Sequence, residues 1–194
     1  MEAKETWSPN VILVDADYLD RVAFDLTVNF ERMIDRRIPA ADTARWLDCI
    51  ALDGGIRPGE NSVQAVFLHS PDKDEMRYFR PGKFSAELDG KAFKDNLGEF
   101  TICSFSAEGM ASTSQFFVES LRHLLDRDDV KRIMVVGDME KAGKEICHTL
   151  AEIADRRKDV TLFTMEPIAG RGFYQEILGY SLMSALGIKG DEIK

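Results

Sequence analysis

Asn10-Val11-Ile12-Leu13-Val14 breaks off at Asp15-Ala16-Asp17. Four consecutive apolar residues, three of them β-branched, followed at once by acids read as a short buried strand with Asp15 at its tip. Downstream, Leu19, Val22, Ala23, Leu26, Phe30 and Met33 or Ile34 recur at spacings of three and four, the stripe of an amphipathic helix, which Phe24 and Val28 widen. Pro39 precedes a second helix, about Ala40 to Leu52, which stops at Asp53-Gly54-Gly55. The turn-rich Ile56 to Asn61 then leads into a second strand, Ser62 to Leu68.

The same alternation continues to the C-terminus. The charged stretch from Ser70 to Asn96 is punctuated by Pro81-Gly82 and carries an expected helix from about Ser85 to Asn96. Leu97-Gly98 introduces a third strand, Glu99 to Phe105, and Ser112-Thr113-Ser114 caps a helix bearing Phe117, Leu121, Leu124 and Leu125. Lys131 to Val136 reads as the fourth strand and Glu140 to about Arg157 as a helix. Val160 to Met165 is the fifth strand, followed after a loop by a last helix, Phe173 to about Leu186. Strands separated by helices predict an α/β fold: one domain over 1–194, with a three-layer α/β/α core at about 10–166 built on a mostly parallel five-stranded sheet.

Composition narrows the class. Of 194 residues, 44% are hydrophobic and 30% charged, as in an ordinary globular chain. Apolar runs such as Val11 to Val14 are about four residues long, against roughly 20 for a membrane span, so no membrane crossing is expected. The start, Met1 to Pro9, lacks the basic and apolar regions of a secretory signal, and Cys49, Cys103 and Cys147 are odd in number and scattered. These features predict a cytoplasmic protein with reduced thiols. The 34 acids outnumber the 25 Lys and Arg, and a net charge of −9 opposes non-specific binding to nucleic acid.

Parallel sheets bind ligands outside the carboxyl ends of their strands, so those ends hold the candidate chemistry. Asp15 and Asp17 follow the first strand, Gly137-Asp138 and Glu140 the fourth, and Glu119 lies on the helix between the third and fourth. If the first and fourth strands are neighbours, Asp15 and Asp138 face each other, and such a pair needs a cation or a shared proton; Mg²⁺, content with one or two carboxylates and several waters, fits. The competing expectation is that Asp17 or Asp20 caps the first helix and Asp138 the helix after the fourth strand. Gly170-Arg171-Gly172, between a strand and an expected helix, offers backbone N–H groups and a guanidinium to a phosphate or carboxylate, or is a plain turn with a solvated arginine. Cys147 and His148 are adjacent on one helix and point apart, while His69 and His123 are isolated, so no zinc-type cluster is predicted. The last helix is apolar nearly all round, through Ile177, Leu178, Tyr180, Leu182, Met183, Ala185 and Leu186, and is expected to be buried in the core or in a homodimer interface.

With Asp15 at the first strand tip, Leu97-Gly98 before the third strand and Gly137-Asp138 after the fourth, residues 10 to 166 resemble the PIN-like nucleases, particularly the NYN group. That resemblance implies a Rossmann-like fold and Mg²⁺- or Mn²⁺-dependent cleavage of RNA. Asp15 and Asp138 would then be catalytic metal ligands, Asp17 and Glu119 would complete the shell, and Arg171 would contact phosphate. Glu119 departs from the expected register of the family's helix acid. A second resemblance is to haloacid-dehalogenase-like phosphatases, through Asp15-Ala16-Asp17, Ser70 and Gly137-Asp138, although the lysine and the further acid of that pattern are missing. The whole chain is also similar to an uncharacterised bacterial family of unknown function, which implies no mechanism.

Overall fold

The structure is a computed structural model in which residues 6–154 and 157–193 are described. The first strand, β1 (Asn10–Asp15), is buried along nearly its whole length, and its last residue starts the helix α1 (Ala16–Ile34). The two-residue β2 (Ala41–Asp42) leads into α2 (Thr43–Asp53), and β3 (Asn61–His69) follows. Between β3 and the long β6 (Gly98–Ser106) come β4 (Phe79–Arg80), a π-helical turn at Phe84–Leu88 and β5 (Ala92–Asp95). Then α3 (Thr113–Leu125), β7 (Arg132–Val136), α4 (Met139–Glu152) and β8 (Asp159–Thr164) alternate, and β9 (Tyr174–Ile177) runs directly into α5 (Leu178–Ala185).

The main sheet has seven strands in the order β5-β6-β3-β1-β7-β8-β9. All neighbours are parallel except β5 and β6. A separate ladder pairs β2 with β4. Side-chain alternation along each strand divides the core in two. On one face Ile12, Val14, Phe67, Phe100 and Val136 pack with Leu19 of α1, Trp46 and Leu47 of α2 and Leu182 of α5. On the other, Leu13, Val66, Ile133 and Leu162 pack with Phe117 and Leu121 of α3 and Ile146 and Leu150 of α4.

The sheet therefore has seven strands where five were expected, and both additions replace helical readings. The helix expected from Ser85 to Asn96 is a single π turn and then β5. Asp89-Gly90 breaks the chain, with Gly90 at φ +75°, and Ala92 to Asp95 is left too short for a helix. Phe93 stacks on Phe100 at 4.7 Å between ring centres, which secures β5 on the edge of β6. Gly98 is required at φ +136°, since a Cβ there would lie 2.1 Å from the Asn61 carbonyl oxygen.

The helix expected from Phe173 to Leu186 begins only at Leu178. Tyr174 to Ile177 instead cover the open edge of β8, where backbone groups would otherwise go unpaired. Gln175 ties this strand to its loop, accepting from Ile168 N at 2.9 Å and donating to Ile168 O at 3.1 Å. The helix is also less buried than its composition implied. Leu178, Ser181, Leu182 and Ala185 face inward, and the Trp46 indole N–H donates to Ser181 Oγ at 3.1 Å, but Tyr180 stays 71% exposed. The helix after β7 stops at Glu152, short of the expected Arg157; Asp155 and Arg156 lie outside the described residues, as do 1–5 of the leader.

Candidate functional site at the carboxyl edge

From β1 the chain builds outward through β3 to β6 on one side, then returns to place β7 and β8 on the other. The order reverses between β1 and β7, the place where open parallel sheets form their crevice at the carboxyl ends. Val14 pairs with Val136, so Asp15 and Asp138 stand at neighbouring strand ends, as the sequence suggested. Each is 3% exposed.

Both acids are helix caps. Asp15 Oδ1 accepts the Tyr18 N–H at 3.1 Å at the start of α1. Asp138 Oδ1 accepts the N–H groups of Glu140 and Lys141, each at 3.1 Å, at the start of α4. The helix-capping expectation thus holds for Asp138, whereas for α1 the cap is Asp15 itself rather than Asp17 or Asp20. Capping leaves Asp138 Oδ2 available, and the Arg21 guanidinium of α1 donates to it at 3.0 Å.

Arg21 is the site residue that the sequence reading missed. It lies one helical turn after Tyr18, and its guanidinium carbon stands 5.5 Å from the centre of that ring. The signal was available: the first base after the strand tip, three positions beyond an aromatic, points back toward the start of the helix.

Other acids along this edge also accept backbone donors. Asp17 Oδ2 accepts the Ser70 N–H just past β3 at 3.0 Å, while its Oδ1 is buried with no hydrogen-bond partner among the described residues. Asp20 accepts the N–H groups of Arg77 and Tyr78 at 3.0 and 2.8 Å, holding the segment after β3 against α1. Glu119 does not join them. It is exposed on α3, accepts from Gln115 Nε2 at 3.1 Å and lines an apolar pocket between α3 and the sheet. Among the described residues, no three or more His, Cys, Asp or Glu side chains are grouped to hold a metal ion.

Gly170-Arg171-Gly172 is elsewhere. It precedes a strand, so no helix N-terminus stands behind it, and a Cβ on Gly172 would meet the Leu150 carbonyl oxygen at 2.3 Å. Leu150 is in the last turn of α4, which starts at the carboxyl edge and runs back along the sheet. The loop thus approaches the opposite edge from Asp15 and Asp138.

Burial sets the protonation of the crevice. It pushes the Asp15 carboxyl up from 3.8 to about 6; the Tyr18 N–H and Arg21 oppose the rise, and Asp17 and Asp138 add to it. Burial, reinforced by Asp138, also pushes the Tyr18 hydroxyl up to about 12. Asp20 is raised by burial against the pull of its two backbone donors. Raised to about 6, Asp15 takes up a proton more readily than an ordinary aspartate, while the Asp138 carboxylate beside it is paired with the Arg21 guanidinium.

Over residues 4–193 the chain matches a family described as a family of unknown function (DUF6621), and it belongs to that family. No curated protein and no solved structure matches it.

Because Asp15 holds its proton more tightly in the folded chain, its contribution to stability is complete below about pH 3.8 and is lost as pH rises through about 6. The rise is worth roughly 2–3 kcal/mol at about 1.4 kcal/mol per pH unit. Asp15→Asn keeps an N-cap acceptor and removes the titration. Urea unfolding across this range should therefore show the variant flatter with pH and more stable than the parent at neutral pH. A variant markedly less stable at neutral pH would contradict this account of the site.

Proposed function

We propose that the chain is a Rossmann-like, three-layer α/β/α domain of PIN/NYN type in which hydrolysis has been lost and the crevice acids serve structure and binding. The observation that carries this reading is the full use of Asp138: two backbone N–H groups on one oxygen and the Arg21 guanidinium on the other. The order β6-β3-β1-β7-β8 supports the fold, since in chain sequence it is third, second, first, fourth, fifth, as in dinucleotide-binding halves.

The donor set does not fit the divalent ion that the resemblance implies. A metal at Asp138 would have to displace Arg21, and Glu119 is spent on Gln115 and lines a different cavity. The phosphatase reading needs Asp17 as a mobile acid next to a nucleophilic Asp15, but Asp17 is fixed to Ser70 N and Asp15 caps α1.

RNA is a poor partner for an acidic edge on a chain of net charge −9. A second copy suits the surface better. Tyr174 of β9 and Tyr180 of α5 are each 71% exposed, and Met165 is 36% exposed, large apolar side chains left for a partner near the last helix. The chain also carries three free cysteines, and among the described residues no helix is long and apolar enough to cross a membrane, in keeping with a cytoplasmic setting.

Calorimetric titration of the full chain with Mg²⁺ and with Mn²⁺ should give no saturable binding at millimolar concentrations. Binding that disappears in Asp15→Asn would overturn the loss of hydrolysis and restore the metal-dependent phosphodiesterase. Sedimentation at micromolar concentrations should show a dimer that Tyr180→Glu disperses; a strict monomer would remove the second copy as partner.

A further inference from the structure

A second pair of acids meets at the amino edge of the sheet, the end away from Asp15 and Asp138. Asp95 closes β5 and pairs with Gly98, the first residue of β6. Its Oδ1 accepts the Leu97 N–H at 2.8 Å and so shapes the turn between the two strands. The loop that leaves α2 is bonded to that turn, Gly59 N donating to the Asn96 carbonyl at 3.0 Å and Asn61 Nδ2 to the Leu97 carbonyl at 2.7 Å. Leu97 packs in the same core as Leu47 and Ile50 of α2, with Phe93 of β5 against it. The turn is thus held close to α2, and the Asp48 side chain of that helix hydrogen-bonds to Asp95.

Such a bond demands a proton. Ionised carboxylates only accept, so one of the two must be protonated to donate. The surroundings supply no alternative. Asp48 Oδ1 is buried, and among the described residues it has no hydrogen-bond partner of another kind. The charged groups that act on Asp48 are Asp95 and Asp42, the N-cap of α2, both acids. Arg45, one turn earlier on α2, is turned to Ser184 Oγ of α5 at 3.3 Å. Among the described residues no three metal-binding side chains are grouped, so no cation cage stands here either. Burial first, then Asp95 and Asp42, push the Asp48 carboxyl up from 3.8 to about 7.

We propose that Asp48 and Asp95 form a proton-operated clasp between α2 and the β5–β6 turn: the shared proton bonds the two elements, and its loss sets two carboxylates against each other and frees the edge strand to open. β5 is suited to this, being four residues long and secured otherwise by its ladder to β6 and the Phe93–Phe100 stack. Opening would bare the edge of β6, the nine-residue strand that β5 covers. Because Asp48 holds its proton more tightly in the folded chain, the clasp's contribution to stability is fully present below pH 3.8 and is lost as pH rises through about 7. The device lies at the opposite edge from Asp15 and does not depend on what the crevice does.

The test is amide hydrogen exchange by NMR on the full chain, with each rate divided by that of an unstructured peptide at the same pH. Protection of Lys94 to Leu97 is expected to fall at least about tenfold between about pH 5.5 and about pH 8.5. Asp48→Asn offers Asp95 an amide donor at every pH and should abolish that fall. Asp95→Asn keeps an acceptor for Leu97 N and donates to Asp48, and should lower the midpoint of the Asp48 carboxyl, followed by its carbon shift, by at least about one pH unit. Millimolar Mg²⁺ or Ca²⁺ at the upper pH should not restore protection. An Asp48 midpoint near 3.8 in the parent, an undiminished fall in a folded Asp48→Asn protein, or protection restored by either ion would overturn the inference. If Asp48→Asn fails to fold, an unmoved Asp48 midpoint in Asp95→Asn overturns it instead.

Discussion

The carboxylate of Asp138 joins two helices that begin at adjacent strands. One oxygen accepts the first N–H groups of α4, and the other accepts the guanidinium of Arg21 from α1. At 3% exposure this carboxylate has little water to solvate it, so its charge depends on these donors. Arg21, 42% exposed at its side chain, keeps much of its hydration while supplying the countercharge. The crevice at the reversal of strand order is thus closed from within. The chain answers one acid with an arginine, and burial raises the other to about 6.

The remaining acids of this edge follow the same logic. A parallel sheet ends in loops whose backbone N–H groups need acceptors, and Asp17 and Asp20 supply them to Ser70, Arg77 and Tyr78. An acidic cluster that reads as a metal site in one dimension is, in three, largely a set of backbone acceptors. The set is not fully satisfied: among the described residues Asp17 Oδ1 is buried at this edge with no hydrogen-bond partner.

How much of this could be read in the sequence varied with the kind of signal. The burial of Val11 to Val14, the stripe of α1 and the neighbouring positions of Asp15 and Asp138 follow from local pattern and from the topology that alternation imposes. The edge strands β5 and β9 do not. Ala92 to Asp95 and Tyr174 to Ile177 are four residues each, and what makes them strands is the unpaired edge beside them, a tertiary demand invisible to periodicity. Glu119 was placed on the right helix but in the wrong company, because a helix carries no sign of which side chains converge from other elements. Arg21 was legible as a base one turn past Tyr18, but its partner lies 117 positions away. For Gly170-Arg171-Gly172 the premise of a helix following directly fails, because a strand comes next, and the loop's other reading, a plain turn, needs no helix.

The account rests on an acid pair in which the protein's own arginine holds one carboxylate and burial raises the other to about 6. Its most direct test is a carbon-detected NMR titration of the Asp15 side-chain carboxyl, with and without millimolar Mg²⁺. The account predicts a midpoint near 6, unchanged by the ion. A midpoint near the ordinary 3.8, or one that Mg²⁺ pulls sharply down, would contradict it and return the crevice to metal chemistry.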